Sequence, residues 1–256
     1  MPVTNCRYFN GYKPCAKNAT CTLACSSVDQ VEDAILIIHL GALGAVVRST
    51  SLLVSLKKKH PHAKILWLTE KSAMPLLENN PHIDQVVAAD HEGLLTLQSY
   101  HFSFGYVIDK SLKASGLAAS LKIKKMLGFV ASEGVILPAT PAAAELWALG
   151  LDNFEKFFVN QKPETQLISE ALELDYERQD YQVSLSAEEK KISFMRAQKW
   201  SENKKKWVVG INTGCSSVIP YKKLTVDFHR KICHNLAGRA DVQVVLLGGS
   251  EDIHPN

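Results

Sequence analysis

The chain has 256 residues, is 46% hydrophobic and 21% charged, and carries a formal net charge of +3. That length holds one large or two modest domains of ordinary soluble composition, and so small a charge implies no nucleic-acid partner. No apolar run approaches the ~20 residues that span a bilayer, and the N-terminal MPVTNCRYFN lacks the apolar stretch of a secretion signal. The sequence therefore reads as cytoplasmic. Its short basic runs, Lys57–Lys59, Lys124–Lys125 and Lys204–Lys206, read as solvated helix ends and loops, or as weak attraction to anionic lipid or a phosphorylated glycan.

Residues 1–30 form a cysteine-rich arm. Cys6, Cys15, Cys21 and Cys25 crowd into a segment with turn signals at Asn10-Gly11 and Lys13-Pro14 and no periodicity. So short a segment buries no core of its own. Disulfides are disfavoured in a reducing compartment. Four thiolates suit a structural zinc ion or an iron–sulfur cluster, although C-x8-C-x5-C-x3-C lacks the paired C-x2-C knuckles of zinc ribbons. The expectation is that the four converge on one metal or cluster. Free thiols in an irregular arm, or disulfides, are the alternatives. Cys215 and Cys233 read as small apolar residues.

From Ala34 the pattern becomes strand, glycine turn, helix. Ile35–Ile38 is the continuous apolar run of a strand covered on both faces. Gly41 and Gly44 supply a turn whose N–H groups open a helix, a general device for holding an anion. Ala45–Lys59 reads as a helix stopped by His60-Pro61, and Lys64–Leu68 as the next strand. A short helix over Lys71–Asn79, a strand at Gln85–Ala88 and a helix at His91–Gln98 follow. Phe104–Ile108 is a strand ending at Asp109, and Leu112–Lys125 is a helix. Such alternation predicts an α/β domain with a parallel sheet, with ligands beyond the carboxyl ends of the strands, where His39, Gly41, Ala45 and Asp109 fall. Asp109 reads as a catalytic acid or as the N-cap of the helix after it. His39 reads as strand-end packing or a ligand contact, and Arg48 as a contact to an anionic acceptor or a surface ion pair.

The rhythm breaks from about Gly128 to Asn160, which reads as irregular with short helices. Gln166–Leu174 and Ala187–Trp200 are helical, and Ser201–Lys206 is a polar linker. A second unit then runs from a strand and turn (Trp207–Gly214) through a helix (Thr225–Leu236) to a strand and turn (Val242–Gly249). The expected domains are 31–185, with a helical connector, and 186–256. The latter is shorter than a usual domain and reads as truncated. A nicotinamide-dependent dehydrogenase also begins strand–glycine–helix. However, G-A-L-G is not G-x-G-x-x-G, and Glu70 is the nearest acid to a ribose-binding role.

Four segments together resemble one family. ILIIHLGALGAVVRSTSLL, ENNPHIDQVV, GINTGCSSVIPYKKLTVDFHRKIC and VVLLGGSED are similar, in that order, to the motifs of glycosyltransferase family 9, the heptosyltransferases. The resemblance covers about Ile35 to Glu251 and is weakest between Gly134 and Trp200. It implies a GT-B fold of two Rossmann-like domains, one for the acceptor and one for the nucleotide sugar. It also implies metal-free, inverting transfer of heptose from ADP-heptose to a lipopolysaccharide-core or lipid-linked glycan acceptor. Peripheral contact with the inner membrane surface would accompany such an acceptor. Lys222 then matches the lysine on the donor phosphate, Thr213 and Gly214 the turn near the nucleotide, and Gly41 and Gly44 the acceptor-domain turn. Ala45 stands where the family has its aspartate base. Three readings follow: an inactive form, a replacement base with Asp109 first in line, or a glycan-binding module without chemistry.

Overall fold

The computed structural model describes residues 4–202, 206–214 and 223–248. Contacts within the chain separate two units, with the division between Ser184 and Leu185. Lys222 and Cys215 lie outside the described residues.

The first unit is built on β1 (Asp33–Ile38). Ile35, Leu36, Ile37 and Ile38 are all fully buried, because both faces of this strand are covered. It pairs in parallel with β2 (Ala63–Thr69) on one side and β4 (Phe102–Val107) on the other. β3 (Gln85–Ala88) extends the sheet beyond β2. β5 (Ile123–Ser132) lies parallel to β4, and β6 (Val135–Pro138) turns back antiparallel on β5. The order is β3-β2-β1-β4-β5-β6. Side chains alternate across the sheet. Ile35, Ile37, Ile65, Trp67 and Tyr106 pack on one face against Val46 and Leu53. Leu36, Ile38, Leu66, Leu68 and Val107 pack on the other against Leu97 and Ala114. The six fully buried aliphatic side chains of β1 and β2, Ile35, Leu36, Ile37, Ile38, Ile65 and Leu66, stabilise by about 1.5–3 kcal/mol each before entropy is subtracted.

Four sequence expectations change. The helix expected over Ala45–Lys59 is two helices, α1 (Leu43–Ser49) and α2 (Leu52–Lys59). The hydroxyls of Thr50 and Ser51 bond back to the carbonyls of Val47 and Arg48 at 2.6 and 2.8 Å. Such bonds compete with the helical ladder. Lys71–Asn79 holds only a 3₁₀ turn at Met74–Leu76, where Pro75 removes a donor. After α3 (His91–Gln98), the helix begun at Leu112 is α4, and it ends at Ala119. The residues that follow pair in parallel with β4, Ile123 opposite Phe102, and the bare Gly105 leaves room for the Ile123 side chain, which a Cβ there would approach within 2.9 Å. The fourth change is the β5–β6 hairpin itself, inside the stretch from Gly128 that looked irregular.

Gly128 explains that misreading. Its φ of +86° is left-handed, and a Cβ there would lie 2.0 Å from the Val107 carbonyl oxygen. Glycine is required for this close approach inside a strand, although glycine in sequence looks like a terminator. Gly134 is also left-handed, at +78°, but open space surrounds it. Gly128→Ala is therefore expected to destabilise by about 2–3 kcal/mol, and Gly134→Ala by much less. Equal shifts in urea midpoint for the two variants would show that strand contact adds nothing at Gly128.

After β6 come a 3₁₀ turn at Pro141–Ala143, α5 (Ala144–Leu149), one π-helical turn (Glu155–Val159) and α6 (Glu164–Ala171). The chain then returns along α1 and α2. Ser55 Oγ donates to the Asp175 carbonyl, and the Gln182 N–H to Thr50 Oγ1. The cysteine arm belongs to this unit. Arg7 donates to the Ala63 carbonyl and to both oxygens of Asp84, which fixes the arm at the amino end of the sheet.

The second unit contains α7 (Ala187–Glu202), β7 (Trp207–Asn212), α8 (Val226–Ala237) and β8 (Val242–Leu247). β7 and β8 pair in parallel with α8 as their crossover. Thr225 caps α8 through the Phe228 N–H. Trp207, Val208, Phe228, Leu246 and Leu247 are exposed.

Candidate functional site

The strand order reverses between β1 and β4, and the crevice beyond their carboxyl ends is where open α/β sheets bind ligands. A cavity of about 480 Å³ opens there. Gly41 and Ala45 line it from the β1–α1 turn, and Asp109 and Lys110 from the end of β4. Lys156 and Lys162 line it from the segment between α5 and α6.

Asp109 is held in place by the N–H of Leu40, which donates to Oδ2. The two strand ends are thereby tied together at the point of reversal. Asp109 does not cap α4. That role belongs to Ser111, whose side chain accepts from the Ala114 N–H. Burial pushes the Asp109 carboxyl up from its ordinary 3.8 to about 6, opposed by the Leu40 N–H and aided by the charge of Glu70. At neutral pH it is predominantly ionised yet close to its pKa. That is the condition of a working general base.

His39 lies below it. Its Nε2 is 3.7 Å from Asp109 Oδ1, too far for a hydrogen bond. The imidazole is buried, and burial, then the charge of Arg48, lowers its pKa to about 4. A neutral ring therefore faces the carboxylate, and the pair is not an ion pair at neutral pH. Ser49 Oγ donates to the Ala45 carbonyl at 3.0 Å and meets His39 Nδ1 at 2.7 Å. The Ser49 hydroxyl thus ties the ring to the backbone of α1 and fixes its orientation. The sequence reading treated His39 as packing or contact and overlooked Ser49. Its signal was available, because Ala45 and Ser49 are four residues apart on one helical face.

The glycines differ from expectation. Neither Gly41 nor Gly44 has a left-handed φ, and a Cβ on Gly41 would meet nothing within 4 Å. The turn leaves open space above it rather than requiring glycine for its bend. Ala45 presents a methyl to the same cavity, which accepts no proton. Arg48 is an ion pair, its Nη2 2.7 Å from Glu164 Oε2. Both groups are more than a third exposed, so the pair adds little stability.

The three lysines of the cavity differ. Lys162 is held between Glu145 and Glu170 at 2.7 and 2.8 Å. Lys110 donates to the Leu146 carbonyl at 2.9 Å, and burial, then the charge of Lys156, lowers its pKa. Lys156 makes no ion pair among the described residues, and its ammonium stands 5.1 Å from the Phe157 ring centroid. Lys110 adjoins Asp109 in sequence and was within reach of inspection. Lys156 and Lys162 come from the segment that looked irregular.

Thr213 and Gly214 lie in the second unit, in the turn after β7. The Thr213 N–H and hydroxyl both donate to the Leu247 carbonyl, at 2.8 and 3.1 Å, and the Gly214 N–H donates to Asn212 Oδ1. These groups are committed to closing the β7–β8 turn. Cys6, Cys15, Cys21 and Cys25 are free thiols. Among the described residues no three metal-ligating side chains are close enough together to clasp an ion as positioned. No helix among them is long and apolar enough to cross a membrane.

The sheet order and the second βαβ unit define an α/β fold of GT-B glycosyltransferase type. The chain is similar to the glycosyl transferase family 9 structure from Veillonella parvula, with a TM-score of 0.64 and 17% identity over 88% of this chain and 65% of that one. It is also similar to the E. coli ADP-heptose lipopolysaccharide heptosyltransferase II, with a TM-score of 0.57 and 18% identity over 86% of this chain and 65% of that one. The E. coli heptosyltransferase WaaC with ADP-2-deoxy-2-fluoro heptose gives 0.51 and 13% over 85% and 69%. The chain spans just under two thirds of the first two structures. At these identities the likeness shows the fold. No protein-family model and no curated protein matches the chain.

Proposed function

We propose that this protein transfers a sugar, with inversion, from a nucleotide sugar of the ADP-heptose type to a hydroxyl of an anionic glycan held by the first unit. One observation carries the reading: Asp109, with a pKa near 6, lines a roomy cavity at the strand reversal among three lysines. The carboxylate takes the proton of the acceptor hydroxyl. The freed oxygen attacks the anomeric carbon from the face opposite the diphosphate. The anomeric C–O bond breaks, and its electron pair leaves with the nucleoside diphosphate. His39 Nε2 lies behind the carboxylate and keeps its surroundings polar without adding charge. Lys110 and Lys156 supply positive charge for acidic groups on the acceptor. The similarity to structures described with ADP and an ADP-sugar supports the donor class. Thr213 and Gly214 would then shape the nucleotide turn, and Lys222 would meet the diphosphate.

The acceptor suits a lipopolysaccharide-core glycan still attached to lipid. Phe157 and Lys156 line the cavity, and Phe154 and Phe158 stack beside them at 5.5 Å, all three phenylalanines being exposed. Aromatic and basic side chains at a rim suit the interface of an anionic membrane. Such contact would be peripheral, on the cytoplasmic face.

A base must be ionised to work, so kcat/KM for transfer is expected to fall as pH drops through about 6. The measurement is a pH–rate profile of the full-length protein with ADP-sugar and a deacylated core glycan. A flat profile between pH 5 and 8 (roughly) would remove Asp109 from the role. The methyl of Ala45 favours a second reading, a transferase homologue that binds its ligands without turnover. Saturable ADP-sugar binding with no transfer to any core glycan would establish that reading instead.

A further inference from the structure

We propose that Cys6, Cys15, Cys21 and Cys25 hold one Zn²⁺ ion as a closed, structural tetrathiolate centre. All four line a single cavity of about 10 Å³ between Tyr8, Phe9 and the Thr20–Thr22 turn. That is close to the volume of one small sphere. Four thiolates lining one cavity are the donor set of a closed structural zinc site. Three of the cysteines sit at tight turns: Phe9 N–H donates to the Cys6 carbonyl, Asn18 N–H to the Cys15 carbonyl, and Cys25 N–H to the Thr22 carbonyl. Turns of this kind aim side chains inward without regular secondary structure. Asn18 Nδ2 also donates to Cys25 Sγ at 3.4 Å, the outer-shell contact that a zinc thiolate accepts. Lys17, bonded to the Tyr8 hydroxyl at 2.9 Å beside the same cavity, offsets part of the negative charge of four thiolates and one dication.

The sulfurs do not close on one point as they stand. With Zn–S near 2.3 Å, the tetrahedron needs sulfurs roughly 3.8 Å apart. Metal binding therefore requires the cysteine side chains to turn inward from their present rotamers. Binding releases the thiol protons and leaves four Zn–S bonds, with no change of oxidation state.

The arm needs such a clasp. None of its described residues is buried, the Cys6–Gln30 bridge closes the arm on itself, and the Val31 N–H donates to the Asn5 carbonyl where the arm meets the rest of the unit. Its place also fixes the role of the metal. Arg7 follows Cys6 and grips Ala63 and Asp84 at the amino end of the sheet, whereas Asp109 lies at the carboxyl end. A strand of six residues spans about 20 Å. The ion therefore stands apart from the chemistry, and four thiolates leave it no open position for a substrate.

The test is elemental analysis of the full-length protein, purified under reducing conditions and dialysed against a weak chelator. One zinc per chain is expected. Cys21→Ser and Cys25→Ser should each lose most of it, whereas Cys233→Ser and Asp109→Asn should keep it whole. Where a variant fails to fold, the wild type carries the test. Four thiols should resist alkylation until a strong chelator is added, and Co²⁺ exchanged into the protein should show the visible bands of a tetrahedral thiolate site. Iron with acid-labile sulfide, no metal in reduced protein, or zinc retained in both serine variants would overturn the proposal. None of these results depends on sugar transfer.

Discussion

Asp109→Asn is expected to lower sugar transfer by about 10²–10⁴ and to raise folding stability at pH 7 by about 2 kcal/mol, allowing for the carboxyl's partial contact with water. The two effects have one cause. Burial holds the folded-state pKa near 6, above the ordinary 3.8, so the folded protein pays to keep the group ionised. Between about pH 4 and 6 folding takes up a proton, and stability falls as pH rises. Above pH 6 the full cost is present. His39 acts in the opposite sense. Its folded-state pKa is about 4 against an ordinary 6.5, so the unfolded chain gains a proton first on acidification, and stability is lost as pH falls from 6.5 toward 4. The two slopes largely cancel in the wild type. In Asp109→Asn only the histidine slope remains, so its stability should drop steadily below pH 6.5 while the wild type changes little. The asparagine oxygen still accepts from Leu40 N–H, so no buried donor is left unmet. Urea titrations at pH 5 and pH 7 measure both differences. A variant less stable than wild type at pH 7 would show that the carboxylate stabilises its surroundings, and unchanged transfer would place the base on another residue.

The second large effect is expected at the amino end of the sheet. Arg7 Nη1 meets the Asp84 oxygens at 2.8 and 2.9 Å and the Ala63 carbonyl at 3.0 Å, while Nε meets Asp29 at 2.9 Å. Asp84 also accepts from the Ile65 N–H at 2.7 Å. The Arg7 and Asp84 side chains are only 12% and 13% exposed, so truncating Arg7 strands a mostly buried carboxylate. Arg7→Ala should cost about 3–5 kcal/mol. Adding Asp84→Asn removes the stranded charge and should recover part of that loss, a coupling that a double-mutant cycle reads directly. Strictly additive losses would mean that the two groups do not depend on each other. Arg7→Lys should fall between, since an ammonium keeps the charge and loses the fork.

The sheet core was legible in the sequence wherever a strand is covered on both faces. Ile35–Ile38 and Lys64–Leu68 are nearly continuous apolar runs, and β3, β4, β7 and β8 also lie close to where their apolar stretches predict. β5 was not legible. Its opening residues, Ile123–Lys125, include two exposed lysines, and its bend uses a glycine, so neither alternation nor run length marks it. Part of the site followed from topology: residues just past β1 and β4 must meet at the strand reversal, which brings Ala45 and Asp109 to one cavity. The choice between base and cap at Asp109 did not follow, because Ser111 competes for α4 and only geometry decides. Nor did Lys156 and Lys162, which lie more than 40 positions further on and reach the cavity only because of how the segment after β6 folds back.

The Arg7–Asp84 grip also sets an order of events during synthesis. Its partners are 77 residues apart, so at about 5–20 residues per second the arm waits roughly 4–15 s after leaving the ribosome before its anchor exists. β1, β2 and the turn before β3 all emerge in that interval. The arm is therefore secured only after β1 and β2 have been translated, later than the strands it is anchored beside.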